Sequence, residues 1–376
     1  MLRTYKYRIY PTQEQAENID TQMFSCGRLY NKMLKQKIDL YKRKGISISQ
    51  YNQQKQIPLL KDNKEIYKTI HSQVLQKVIT RLDTSFKNFF RRVKKWEKPW
   101  FPRFQSPRRY NTLEYKQSWF QILDKKENVS QKIKLSKIWE VKLKKHRELP
   151  SKGKVKTLAI TKNLTGKYYV TLVVETEDKI IINPNANKQV GIDLWINYLL
   201  SLSDGRQIEN PKHIRKAEKK LKRLQRNMSR KKKWSNNRRK YRSILATQYE
   251  KLTNARNDYL HKITKELVDT YWLIVLEKLN VKWMVKNRYL AKSISDVAWW
   301  RLLILLQYKA ESAGSVIELV DPKYTSQDCY NCWERVKKTL ATRIHQCTSC
   351  WYIEDRDINA SKNILKKGLE QLENCS

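Results

Sequence analysis

A multidomain α+β chain is predicted by three features of the 376-residue sequence. Helical periodicity dominates the first quarter, and short alternating runs follow between Phe101 and Val174. A second pattern, isolated apolar strands separated by helices, begins at Gln189. A helical region, a small β-barrel or curled sheet, and then an α/β domain accommodate all three. The length suffices for two or three domains with cores of their own.

Residues Tyr5 to Tyr10 alternate like an edge strand. Thr12, with Gln15 three residues on, is a capping-box signature that opens a helix running to about Arg43, where Gly45 stops it. A second helix is expected from about Gln73 to Lys95, with Val74, Val78, Leu82, Phe86 and Phe89 at helical spacing as its core face. Its polar neighbours Gln73, Gln76, Lys77 and Arg81 form either a solvated face or a nucleic-acid contact. Pro99, Pro102 and Pro107 break helices, and the runs Lys132–Leu135, Glu140–Leu143 and Tyr168–Val174 read as barrel strands. Ile180 to Asn187 is a polar, proline-containing linker.

Val190-Gly191-Ile192-Asp193-Leu194 then reads as a buried strand carrying one carboxylate. Tyr198 to Ser203 is its hairpin partner, and Ser203-Asp204-Gly205 turns into a third short strand. A basic helical stretch from about Pro211 to Tyr271 is interrupted near Lys233 to Asn237. Leu273–Glu277 is a second apolar strand that ends in a carboxylate. A helix from about Asp296 to Ala313, a strand Ser315–Val320, a cysteine-bearing insert and a final helix from about Asn359 complete the chain. The order β-β-β-α-β-α-β-(insert)-α is that of an RNase H-like α/β domain.

Lysine and arginine number 79 against 36 acidic residues, a formal net charge of +43. Such an imbalance calls for a polyanionic partner, bound largely through counterion release. Between residues 211 and 242 Glu218 is the only acidic side chain. Many of the 21 tyrosines adjoin a lysine or arginine, a pairing that suits either base stacking with phosphate neutralisation or half-buried sheet edges. No run of about 18 apolar residues suggests a membrane span. The alternating start Met1 to Arg8 lacks the apolar core of a signal peptide, so a cytoplasmic location is expected.

Cys329-Tyr-Asn-Cys332 and Cys347-Thr-Ser-Cys350 are paired knuckles suited to a closed tetrahedral Zn²⁺ site. Asp193 and Glu277 each break an apolar strand, and a buried carboxylate needs a cation or partner to offset its desolvation. With Asp357 they make a three-carboxylate cluster suited to two Mg²⁺ ions about 3.5–4 Å apart, an arrangement for phosphodiester hydrolysis. Each has a plainer reading: Asp193 as a hydrogen-bond acceptor, Glu277 paired with a lysine of the next loop, Asp357 as a helix N-cap with Asp355 the ligand.

At these residues the chain resembles the TnpB (OrfB) family of transposon-encoded, RNA-guided DNA nucleases, relatives of the type V CRISPR effectors. The resemblance rests on Gly191-Ile192-Asp193, Ser203-Asp204-Gly205, Leu276 to Val281, Ser293-Ile294-Ser295-Asp296, Leu306 to Ala310, Thr325-Ser326-Gln327, both knuckles and Asp355 to Ala360. Tyr10-Pro11-Thr12, Asn88-Phe89-Phe90 and Phe101-Pro102-Arg103-Phe104 extend it over almost the full length. It implies a β-barrel wedge domain at 1–11 and 96–187, with a helical recognition domain inserted at 12–95. A RuvC-like nuclease domain follows at 188–328 and 352–376, with a zinc-ribbon-like insert at 329–351. It also implies Asp193, Glu277 and Asp357 as catalytic carboxylates, with Mg²⁺ as the catalytic and Zn²⁺ as the structural metal. The expected partners are a guide RNA from the transposon end and double-stranded target DNA in a prokaryotic cytoplasm, at the nucleoid. Gln76, on the helix that reads the target-adjacent motif in the family, is a nucleic-acid contact by this resemblance, with Lys77 and Arg103 beside it. The rival readings are a guide-dependent DNA-binding protein that no longer cuts, or a degenerate transposon remnant, and a DDE-type transposase.

One departure is systematic. Trp96, Trp100, Trp139, Trp195, Trp234, Trp283, Trp300, Trp333 and Trp351 fall where the family pattern has glycine. The chain has only 8 glycines against 12 tryptophans, where ordinary usage gives roughly 26 glycines. Translation of UGA codons as tryptophan, in a source that reads them as glycine, accounts for both, with Trp299 the exception.

Overall fold

The computed structural model describes residues 2–116, 119–123, 131–150, 152–176, 187–195, 198–280, 284, 286–287, 291, 294, 298–339 and 342–374. Most of the expected linker, the expected helix start at Asp296, and Val281, Trp283, Ser293, Ser295 and Cys375 lie outside the described residues. The chain divides into two units, Met1–Asp178 and Lys179–Ser376.

The first unit contains a seven-stranded antiparallel sheet. Its strands are β1 (Leu2–Tyr10), β2 (Thr112–Lys116), β3 (Phe120–Leu123), β4 (Lys132–Leu135), β5 (Trp139–Lys144), β6 (Lys154–Lys162) and β7 (Tyr168–Glu175), in the order β2-β6-β7-β1-β5-β4-β3. The expectation of an edge strand at Tyr5–Tyr10 is corrected: β1 pairs with β7 on one side and β5 on the other. Its alternation has another cause. Tyr5, Tyr7 and Ile9 point into the core while the intervening basic residues stay out. Five helices lie between β1 and β2 in sequence: α1 (Gln13–Lys44), α2 (Gln50–Gln54), α3 (Ile57–Asp62), α4 (Glu65–Lys68) and α5 (Ser72–Lys94). Thr12 forms both halves of the capping box with Gln15, and Gly45 ends α1 in a left-handed conformation. The buried face of α5, including Val74, Val78 and Leu82, joins the sheet side chains in one continuous core, so the helical insertion and the sheet stabilise each other.

The second unit is built on β8 (Gln189–Asp193), β9 (Tyr198–Leu202), β10 (Gln207–Glu209), β11 (Leu273–Glu277) and β12 (Val316–Val320), in the order β10-β9-β8-β11-β12. Strands β8, β11 and β12 run parallel, and β9 returns antiparallel to β8. Helices α6 (His213–Ser229) and α7 (Asn236–Thr270) form the interrupted basic stretch, held to each other by a thin apolar seam of Leu221, Leu224, Leu245 and Leu252. The two-residue period of β11 serves both faces of the sheet. Ile274 and Leu276 pack with the end of α7 and with α8 (Trp299–Ala313), while Leu273 and Val275 pack against α9 (Arg356–Glu373). A Cβ at Gly191 would lie 2.1 Å from the Ser361 carbonyl and 2.6 Å from the Leu365 amide, so β8 and α9 touch backbone to backbone. A two-stranded ribbon, β13 (Ile344–Gln346) with β14 (Ile353–Asp355), leads into α9. Among the described residues no helix is long and apolar enough to cross a membrane.

Candidate active site and metal centre

Three elements deliver the carboxylates. The parallel register that sets Leu276 against Ile192 carries Glu277 level with Asp193 at the ends of β11 and β8. Asp357 follows in the first turn of α9, the helix pressed onto β8 at Gly191. Asp193 and Asp357 are buried. The Asp193 carboxyl is raised well above its ordinary range, first by burial and then by the nearby negative charges of Glu277 and Asp357, with Arg356 opposing. Glu277 is also raised, mainly by burial, while the Thr325 hydroxyl counteracts. Asp357 is held by its neighbour: Arg356 donates Nε and Nη2 to Oδ1 at 3.0 and 2.9 Å, and Arg343 lies 3.9 Å from Oδ2.

The plainer readings now separate. Asp355, not Asp357, is the N-cap of α9: its Oδ1 accepts the amides of Asp357 at 2.8 Å and Ile358 at 3.2 Å. The helix thus begins at Arg356, three residues before the expected start at Asn359. Glu277 takes its hydrogen bond from a hydroxyl, with Thr325 Oγ1 donating at 2.6 Å.

Thr325 is a residue whose part in the site the sequence reading missed. It sits on the segment between β12 and the knuckles, and two fully buried asparagines of α9 anchor that segment. Asn363 Nδ2 donates to the carbonyls of Thr325 (2.9 Å) and Asp328 (2.7 Å). Asn359 Nδ2 donates to Asp328 O at 3.0 Å, and its Oδ1 accepts the Tyr330 amide at 3.0 Å. One helix therefore positions Asp357 itself, the hydroxyl on Glu277 and the entry to the first knuckle. The Asn-x-x-x-Asn spacing, one helical turn, was the signal available in the sequence.

The four thiols Cys329, Cys332, Cys347 and Cys350 lie within 4.8 Å of one another, the one group of potential metal ligands gathered so closely among the described residues. Sγ of Cys329 is 3.7 Å from that of Cys350, and Sγ of Cys332 is 3.5 Å from that of Cys347. A tetrahedron with Zn–S bonds of about 2.3 Å has edges of about 3.8 Å, so the sulfurs fit Zn²⁺. The knuckles are matched turns. The Trp333 amide donates to the Cys329 carbonyl at 2.9 Å, and the Trp351 amide to the Cys347 carbonyl at 3.1 Å. The Cys350 thiol is drawn down to about 6, first by the Asn331 side chain and then by the Tyr352 amide.

The expected nucleic-acid contacts lie in the first unit and differ among themselves. Gln76 is exposed on α5. Lys77 is half-buried and ion-paired to Glu114 at 2.5 Å, so its charge is already matched within the protein. Arg103 is exposed and stands 5.8 Å from the centroid of the Trp100 ring. In the second unit, Trp195 lies under the Arg356 guanidinium, 4.7 Å from ring centroid to carbon.

Three family models match. One described as "Probable transposase" covers residues 171–288, one described as "Cas12f1-like, TNB domain" covers 299–364, and one described as "Helix-turn-helix domain" covers 1–45. That last stretch is a strand and a single 32-residue helix here. A Streptomyces pristinaespiralis protein named "Putative RNA-guided DNA endonuclease" is 33% identical over 98% of this chain and 89% of its own length. InsQ of Escherichia coli K12, named in the same way, is 31% identical over 79% of this chain and 74% of its own. Among solved structures, the Cas12f1–sgRNA–target DNA complex aligns with a TM-score of 0.57 at 13% identity, covering 97% of this chain and 98% of that one. CRISPR-Cas_phi3 aligns with a TM-score of 0.50 at 10% identity, covering 98% and 92%. At such identities these two likenesses concern the fold alone. Full-length similarity to the two endonuclease-named relatives, with the transposase and Cas12f1-like domain matches, makes the chain a member of the TnpB (OrfB) family, related to the type V effectors.

Proposed function

We propose that this protein is an RNA-guided DNA endonuclease of a transposon that cuts at Asp193, Glu277 and Asp357. The placement of Asp193 and Glu277 at the ends of neighbouring strands β8 and β11, with Asp193 within reach of the charges of both Glu277 and Asp357, supports the reading. Their all-oxygen donor set fits Mg²⁺, and a bound cation would offset the burial and the neighbouring negative charges that raise the Asp193 carboxyl. Bound there, Mg²⁺ would stabilise charge on the attacking and leaving oxygens of the phosphodiester. The chain's own groups prepare the site. The Thr325 hydroxyl orients Glu277, Arg356 fixes the Asp357 carboxylate, and the Asp355 cap sets the first turn of α9. The excess of basic side chains supplies affinity for a guide RNA and target duplex in the prokaryotic cytoplasm, where base pairing reads the sequence. Zn²⁺ at the four cysteines would serve structure, since all four ligand positions are filled by protein. We further assign 1–11 with 96–187 as the wedge, 12–95 as the recognition helices, and 188–328 with 352–376 as the nuclease, carrying the insert 329–351.

The test is to sequence the RNA that copurifies with the protein, then program it against a plasmid. Mg²⁺-dependent cutting at the matched site is expected. Guide-dependent binding without cutting would favour the inactive reading, and strand joining would favour the transposase.

Two substitutions probe the site's construction. Thr325→Val is expected to slow cleavage by about ten-fold or more, since it removes a hydrogen bond to a buried charged group, while Thr325→Ser retains most activity. Equal rates for wild type and Thr325→Val would remove Thr325 from the site. Asp357→Ala should be inactive, whereas Asp355→Ala should still cut and lose only about 1 kcal/mol of stability with its cap. Cleavage and urea unfolding of both variants would exchange these assignments if the losses were reversed.

A further inference from the structure

Nine described non-glycine residues have φ in the left-handed region, and five of them are tryptophan: Trp96 (53°), Trp139 (72°), Trp234 (71°), Trp333 (67°) and Trp351 (60°). Tryptophan makes up only 12 of the 376 residues. Left-handed backbone drives Cβ against the following carbonyl, and glycine is the residue that escapes the clash. A bulky side chain can hold such a conformation only if its own packing compensates. Exposure leaves little packing to do so here. Trp96 and Trp234 are 98% and 97% exposed, and Trp139 and Trp351 are also exposed. Trp333 is exposed too, although the Lys366 ammonium stands 3.9 Å from its ring centroid. Such a cation–π contact at an exposed site contributes about 0.5–1 kcal/mol, no more than the left-handed strain it would have to offset.

The surroundings are glycine sites in detail. Beyond the end of α5, the Trp96 amide bonds the Val93 carbonyl and the Glu97 amide bonds the Arg92 carbonyl. These are the two hydrogen bonds of a Schellman motif, with Trp96 at its left-handed C′ position. Trp139 enters β5 from the β4–β5 turn, and Trp234 turns the chain just before Ser235 caps α7. Trp333 and Trp351 each follow the second cysteine of a knuckle in the same hydrogen-bonded turn. Equivalent left-handed positions at Gly45, Gly166, Gly205 and Gly314 carry glycine. Trp299 is the contrast, a helical residue buried in the nuclease-unit core. Trp100, Trp195 and Trp300 are not in the left-handed region, so the backbone makes no case for them.

We infer that the native protein carries glycine at 96, 139, 234, 333 and 351, specified by UGA codons that its source decodes as glycine. A GGA glycine codon becomes UGA by one base change, and a reading of UGA as tryptophan would rewrite only those glycines and spare the rest.

The test has two arms. In the source's coding sequence the five codons should be UGA and the Trp299 codon UGG, and peptide mass spectrometry of the protein from that source should show glycine at all five. UGG codons, or tryptophan in those peptides, would overturn the inference. In the second arm, each Trp→Gly substitution is made singly in the tryptophan chain and unfolding is followed in urea. Each of the five should raise the folding equilibrium constant several-fold, as relief of left-handed strain outweighs the added chain entropy of glycine. Trp299→Gly should lower it. A fall at all five positions would also count against the inference, since it would show that the rings contribute stability where they stand.

Discussion

Asp193→Ala is expected to eliminate DNA cleavage and leave affinity for the copurifying RNA almost unchanged. The asymmetry follows from where the two properties reside. Affinity is spread over an excess of 43 positive charges, so loss of one buried carboxylate barely alters it. Cleavage, on the proposed reading, depends on a group of carboxylates in which Asp193 is the shared neighbour of Glu277 and Asp357. A second readout needs no catalysis. Because the Asp193 carboxyl is raised in the folded chain, its ionisation destabilises the metal-free protein. Below the carboxyl's unfolded pKa both states are protonated and the effect vanishes; it grows as pH rises through the higher folded value. Asp193→Asn should therefore raise the metal-free unfolding midpoint near neutral pH, and this gain should shrink on acidification. Wild-type cutting by Asp193→Ala would sink the active-site assignment, and a pH-independent midpoint difference would sink its electrostatic basis.

If the four cysteines hold the proposed zinc, Cys347→Ser should lose it and with it the order of the knuckles. Metal binding in structural sites of this kind is worth about 10–16 kcal/mol at pH 7, far more than a ribbon of two three-residue strands can supply by itself. The damage should also reach the carboxylates. Asp328, next to Cys329, accepts hydrogen bonds from Asn359 and Asn363, and Asn363 also holds the Thr325 carbonyl. Loosening of the first knuckle is thereby transmitted to the hydroxyl that orients Glu277. Elemental analysis should find one zinc per wild-type chain and none in Cys347→Ser, with slower cleavage in the variant. Absence of zinc from carefully prepared wild type, or its full retention in Cys347→Ser, would refute the site.

The second unit was legible in the sequence because its signals are local. An apolar run broken by one carboxylate identifies β8 and β11, and cysteine spacing identifies the knuckles. What escaped depends on partners distant in the chain. The alternation of β1 is the same whether a strand is central or at an edge; only pairing with both β5 and β7 decides. Helices α2 to α4 carry four to six residues each, too few to establish a period. The choice between Asp355 and Asp357 turned on which oxygen meets the free amides of α9, and Thr325 became visible once Glu277 was seen across from it. The Lys77–Glu114 ion pair was likewise not readable, because nothing nearby in sequence announces Glu114 as a partner.

The bare backbone contact at Gly191 makes the proposed active site intolerant of gradual change. The hydrogen atom at that position is the spacer between the strand that bears Asp193 and the helix that bears Asp357, and the next larger spacer, a methyl group, already overlaps main-chain atoms. Side chains can repack around an intruder; a carbonyl and an amide locked into a helix cannot. A lineage altering this residue would face a cliff instead of a slope. It would keep every carboxylate, cysteine and basic helix in its sequence while the two acids moved out of reach of each other.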